Sequence, residues 1–139
     1  MTGPYERLIE LKERMKEEKE RAMKMLLREL ERIERESSKT ETKILESQGL
    51  ILEGLDGNDF SVLSDYLSFL ERHRLELERQ KRERQAMVDA IRAELLDLVK
   101  EIKMLKGLES KRENAQKRAR EKRIQKRLDE ISVRKKKDL

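Results

Sequence analysis

Residues 54–105 read GLDGNDFSVLSDYLSFLERHRLELERQKRERQAMVDAIRAELLDLVKEIKML, a turn followed by one long periodic segment. The turn, Gly54-Leu55-Asp56-Gly57-Asn58-Asp59, joins two glycines to Asp and Asn, residues that tolerate tight turns and left-handed backbone. Asp59 or Ser61 is placed to cap the helix that follows. Beyond it, Leu63, Leu67, Leu70, Leu77, Val88, Ile91, Leu95, Leu98, Ile102 and Leu105 fall on alternating steps of four and three. That spacing is a heptad seam, interrupted only by Arg74, Lys81 and Arg84.

Upstream of the turn the same period returns in Met23, Leu26, Leu30, Ile33, Thr40, Ile44 and Ile51. Nearer the start, Leu8, Met15 and Ala22 suggest a slip of about one position in that seam. Gly49 is expected to loosen the end of this helix, and Pro4 fits a first helical turn with Glu6 beside it. The spacing predicts two helices, over about 4–53 and 60–136. Folding them about Gly57 puts residue i opposite about 114 − i, so that Ile51 meets Leu63, Leu26 meets Val88 and Leu8 or Ile9 meets Leu105. The fold class expected is therefore all-α: two long helices in an antiparallel coiled coil, helix 2 overhanging at its C-terminal end.

The apolar heptad of helix 2 stops where helix 1 runs out. Two parts are expected, a paired hairpin over 1–105 and an unpaired C-terminal arm over 106–139. At about 1.5 Å per residue the arm would extend roughly 45 Å. It holds few apolar residues, and isolated helices are marginal in water, so it is expected to fray alone and order on a partner. Charge divides at the same place: residues 1–105 carry 21 Lys/Arg against 24 Asp/Glu, and residues 106–139 carry 14 against 6. Ser37, Thr40, Arg74, Lys81 and Arg84 make the middle of the pair weakly apolar, a level at which the seam is expected to open most easily.

Composition agrees with a narrow core rather than a globular one. Charged residues make up 47% and aromatics 3%, too little apolar bulk to surround a compact core but enough, at heptad spacing, to line a seam. There is no cysteine, hence neither disulfide nor thiolate metal site. The N-terminus has no apolar stretch of signal-peptide length, and no run approaches the roughly 20 residues that span a bilayer, so a cytosolic chain is expected. No catalytic constellation is present. His73 is the single histidine and reads as solvated surface between Arg72 and Arg74. There is no phosphate-binding glycine loop, no nucleophile elbow and no metal-ligand spacing. The reading is a non-enzymatic protein with no cofactor and no metal. The interleaved Glu, Lys and Arg read as surface ion pairs.

Two places remain as candidate contacts. Lys117, Arg118, Arg120, Lys122, Arg123, Lys126 and Arg127 make the arm a cationic helix. It has no aromatic for base stacking and no zipper arrangement that would set it in a DNA groove, so nucleic acid ranks behind an acidic protein surface. It also lacks the Trp/Phe-bearing apolar face of a membrane-surface helix. The second place is Tyr66 and Phe69, which flank the seam residues Leu67 and Leu70. They either cover the seam or stand out as anchors for a partner.

The layout resembles the flagellar FliJ-type export proteins, the small coiled-coil stalk of bacterial type III export. The resemblance rests on the Leu/Arg/Glu-rich helix from Leu8 to Glu18, on the post-turn Tyr66, Phe69, Leu70 and Arg74, and on the ending Gln125-Lys126-Arg127-Leu128-Asp129-Glu130-Ile131. It implies an antiparallel coiled coil similar to the γ stalk of rotary ATPases. It implies docking into the hexameric export ATPase, contact with the membrane export-gate protein and handling of export chaperones, at the cytoplasmic face of the export apparatus. Carried over by position, Arg118, Lys122, Arg123, Arg127, Leu128, Asp129 and Glu130 would face the ATPase, and Tyr66, Phe69 and Leu70 the gate. An injectisome stalk has the same shape. A generic coiled-coil adaptor and, behind it, a nucleic-acid-binding accessory protein are the other readings that the residues leave open.

Overall fold

The computed structural model describes residues 3–137. It holds two α-helices, α1 over Glu6–Leu52 and α2 over Gly57–Lys137, and no strand among the described residues. Contacts divide the chain into two units. One joins residues up to Lys16 to those from Leu96 onward, and the other is Glu17–Leu95. In each, a stretch of α1 packs antiparallel against a stretch of α2.

The Glu17–Leu95 unit contains the turn. Gly54 has φ +88°, a left-handed conformation that closes α1 at little steric cost for glycine alone. The Gly54 N–H donates to the Ile51 carbonyl at 3.3 Å, and the Glu53 N–H to that of Gly49 at 3.1 Å. Gly49 itself stays helical, so the expected loosening there is absent. The cap of α2 is neither Asp59 nor Ser61. Asp56 Oδ1 accepts the Asp59 N–H at 2.9 Å, and the Asp56 carbonyl accepts the Phe60 N–H at 2.9 Å. The helix therefore starts at Gly57 rather than about residue 60. Asp59 sits in the first turn, where a carboxylate meets the positive end of the helix dipole.

In this unit the seam is as the spacing predicts. Ile33, Ile44, Leu70, Leu77 and Val88 are buried, and Val88 is fully so. The polar interruptions are accommodated rather than excluded. Thr40 is buried with its Oγ1 donating to the Glu36 carbonyl at 2.8 Å, and Ser47 is buried beside it along the seam. Arg84 reaches Glu29 Oε2 at 2.7 Å, Lys81 reaches Glu34 at 2.9 Å and Arg74 reaches Glu41 at 3.4 Å. Each pair lies within one position of the register that sets i against 114 − i.

The other unit keeps that register, with Lys12 on Glu101 at 2.9 Å, but corrects the expected slip. Its seam positions are Tyr5, just before α1, and Ile9, Lys12 and Lys16 on it, all half-buried, in unbroken three–four spacing with Lys19, Met23 and Leu26 downstream. Of the residues of the expected slip, Leu8 is 41% exposed and Ala22 is exposed, and Met15 is half-buried beside Lys16. A seam that slipped to the Leu8 frame needs a stutter in α1, and the helix has none. Lysine suits such a position because its stem lies along apolar surface while the ammonium reaches a flanking carboxylate. On α2 the core of this unit is Leu98, Ile102 and Leu105, followed by buried Glu109 and half-buried Arg112. From residue 113 to 137 every residue is exposed, and the helix continues unbroken to Lys137.

Candidate interaction surfaces

Arg118, Lys122, Arg123, Arg127, Leu128, Asp129 and Glu130 all lie on the exposed last stretch of α2. Few of their polar groups are engaged. Arg123 Nε donates to the Ala119 carbonyl at 3.5 Å, and Gln125 donates to Asp129 at 3.1 Å one turn away. No ion pair is formed by a lysine or arginine of residues 113–137 among the described residues. Ile124, Leu128 and Ile131, each more than half exposed, follow a four–three spacing that aligns them on one side of the helix. Lys117, Arg120 and Lys135 extend that line at its two ends, and Arg127 lies beside it. The stretch is chemically an amphipathic cationic helix, exposed at every residue from 113 to 137.

The second candidate surface lies next to the turn. Tyr66 is 42% exposed and Phe69 56%, whereas Leu70 is buried in the seam. Val62, Tyr66, Phe69 and His73 each precede a seam position, Leu63, Leu67, Leu70 and Arg74, so they line one side of it. The His73 ring stacks on Phe69, centroids 6.2 Å apart and planes 2° from parallel, and its Nε2 stands 3.5 Å from Glu36 Oε1. The reading of His73 as solvated surface between Arg72 and Arg74 missed this stack, although its spacing of four from Phe69 puts the two rings on one face of the helix. A shallow depression lined by Leu50, Leu55, Asp59, Val62, Leu63 and Tyr66 adjoins the stripe. Leu50 precedes the seam residue Ile51 and so falls on the same side.

Two features escaped the sequence reading. Glu109 and Arg112 continue the seam as a polar closure over the first turn of α1. Arg112 donates to Glu109 through Nη2 at 2.7 Å and Nε at 3.3 Å. The Arg112 guanidinium is the main cause that holds the Glu109 carboxyl below its ordinary range, and an N–H donated by Tyr5 adds to it against the effect of burial. Gly3 is buried against both side chains, and a Cβ there would overlap Glu109 Oε1 and Arg112 Nη2. Glu6, Glu109 and Glu113 bring carboxylate oxygens within 4.8 Å of one another, with the Arg112 cation at the same place. Ordered charge of this kind at a helix start reads as capping. The other feature is the stripe of Leu8, Leu11 and Met15, each one residue before a seam position. Met104 and Leu108 bear the same offset on α2, which in an antiparallel pair puts all five on one side.

No helix among the described residues is long and apolar enough to cross a membrane. A family described as the flagellar FliJ protein has a model that matches residues 1–137 of the chain. No curated protein and no solved structure matches it.

Proposed function

Because the chain belongs to the flagellar FliJ family, a family of structural export-stalk proteins and not of known enzymes, we propose that it is the cytoplasmic stalk that couples the hexameric export ATPase to the rest of the flagellar export apparatus. The last stretch of α2 engages the ATPase through Arg118, Lys122, Arg123, Arg127, Leu128, Asp129 and Glu130. Tyr66 and Phe69, with Leu70 in the adjoining seam, face the membrane export gate, and export chaperones are further partners.

The observation that carries this reading is the stretch 113–137: a continuous helix, exposed at every residue, cationic, and apolar along one stripe. A single helix without a partner has a narrow cross-section of about 10–12 Å, which suits insertion into the opening of a protein ring. Its long cationic side chains suit carboxylates on the ring wall. The aromatic pair supports the gate contact for another reason. Two large exposed rings held on a continuous helix have the apolar area of a binding anchor.

The test is ATP hydrolysis by the purified export ATPase with the full chain and with a chain ending at Arg112. That truncation leaves every buried seam residue in place, so helicity of the paired region is retained. Stimulation by the full chain that disappears on truncation is the expected result. Equal stimulation by both chains removes the tail as the contact. Tyr66→Ala with Phe69→Ala is expected to weaken binding to the soluble part of the gate protein while leaving ATPase stimulation intact.

A further inference from the structure

The charge of this chain is segregated more sharply than its seam requires. Residues 44–71 carry six carboxylates, Glu46, Glu53, Asp56, Asp59, Asp65 and Glu71, and no lysine or arginine. None of the six forms an ion pair among the described residues, although the helix faces beyond this stretch are laced with them. Apolar groups accompany these charges: Leu52 is 87% exposed, Val62 68%, and Phe60 and Phe69 about half. Residues 113–137 are the counterpart, with eleven lysines and arginines against four carboxylates, none of them in an ion pair among the described residues, and the exposed stripe of Ile124, Leu128 and Ile131.

We infer that the cationic tail of one copy docks on the acidic turn region of a second copy, so that the protein self-associates through two complementary surfaces of the same sequence. Each surface has what the other lacks. The turn region offers uncompensated carboxylates around exposed aromatic and aliphatic side chains, and the tail offers uncompensated cations around an aliphatic stripe. Charge complementarity of this kind steers encounter and sets register, while the apolar residues supply the contact that persists. The contact is heterologous, tail to turn. A two-fold arrangement closes it as a dimer, and an open arrangement extends it. Since the two surfaces are those proposed to meet the ATPase and the gate, self-association holds both covered until a partner displaces the second copy. The pairing itself rests on charge and exposure alone and stands or falls without reference to the export apparatus.

The experiment is sedimentation velocity on the purified full chain at about 50 mM and about 500 mM salt, where the screening length falls severalfold. Association at low salt, weakened about tenfold or more at high salt, is expected for charges that meet across a solvated contact. Two exposed charge reversals supply the decisive arm: Asp65→Lys with Glu71→Lys on the turn region, and Lys122→Glu, Arg123→Glu and Arg127→Glu on the tail. Either variant alone is expected to be monomeric with its helicity unchanged by circular dichroism. A mixture of wild-type chain with either is expected to retain tail-to-turn pairing through the surface left intact. A chain that is monomeric at both salts overturns the inference. So does association that ignores salt, or that survives both reversals.

Discussion

Leu77→Ala tests whether the seam supplies the stability of the Glu17–Leu95 unit. Leu77 is 5% exposed. Truncation to alanine removes three carbons, about 2.4 kcal/mol of transfer free energy at about 0.8 kcal/mol per buried methylene. In a sealed core a cavity term would be added. Here Leu77 lines a depression with Ile33, Glu29, Arg32, Glu36, Gln80 and Arg84 that is open to solvent and rich in polar groups, so water fills much of the space. The expected loss is about 2.5–3 kcal/mol, toward the low end for leucine deletions. Leu75, two residues earlier and 60% exposed, is the control, and Leu75→Ala is expected to change stability by less than about 0.5 kcal/mol. Urea unfolding followed by far-UV circular dichroism reads both as midpoint shifts at constant slope. A loss below about 1 kcal/mol at Leu77, or equal losses at the two leucines, would mean that the heptad seam is not where the unit's stability resides.

Three further outcomes follow from the same geometry. Gly54→Ala puts a Cβ on a residue at φ +88° and is expected to cost about 1–2 kcal/mol in urea midpoint, although the surrounding space is open. Thr40→Val removes a buried hydroxyl bonded only to its own helix at Glu36, a carbonyl that the helix still uses, so the stability change read from thermal unfolding is expected to be within about 0.5 kcal/mol of zero. Glu109, held below its ordinary range chiefly by Arg112, contributes stability that is complete above the unfolded carboxyl pKa near 4.5 and is lost as pH falls through the lower folded value. Thermal midpoints of wild type and Glu109→Gln are therefore expected to differ near neutrality and to converge in acid. A gap that widens in acid would reverse the sign of this argument.

The heptad of α2 was legible because it is long and made of leucine, isoleucine and valine, so that no other frame competes. The turn was equally plain from Gly54 and Gly57. The cap was not. Asp56, Asp59 and Ser61 are all capping residue types, and only the observed hydrogen bond to the Asp59 N–H distinguishes them. The start of α1 misled for a physical reason. Leu8, Met15 and Ala22 satisfy a heptad as well as Ile9, Lys16 and Met23 do, and a rule that counts apolar residues prefers the former. Frame continuity with Ile33, Thr40 and Ile44 decides otherwise, since a helix cannot move its stripe by one position without over- or underwinding. The Glu109–Arg112 closure was hidden because charged residues at seam spacing look like the end of a seam, whereas here they continue it against backbone at the start of α1.

The helicity of residues 113–137 needs an energetic account, because these residues bury nothing. An isolated helix of this length is marginal mainly because its first turn fixes several residues for one hydrogen bond. The tail avoids that step, since α2 enters it already formed by the packing of Leu98, Ile102, Leu105 and Glu109. Each further residue then adds one backbone hydrogen bond for one residue fixed, and the segment is rich in Lys, Arg, Gln and Ala, which are good helix formers. The basic residues of its last turn, Arg134 to Lys137, also lie at the negative end of the helix dipole. The paired region thus serves as a nucleus for a helix whose own surface remains uncommitted. Every side chain that would have packed inward in a globular domain is left available to another protein, while the backbone is already ordered for the contact. That division, with stability held in the seam and recognition carried on a helix propagated from it, is the physical basis for assigning a binding role to residues that contribute no packing of their own.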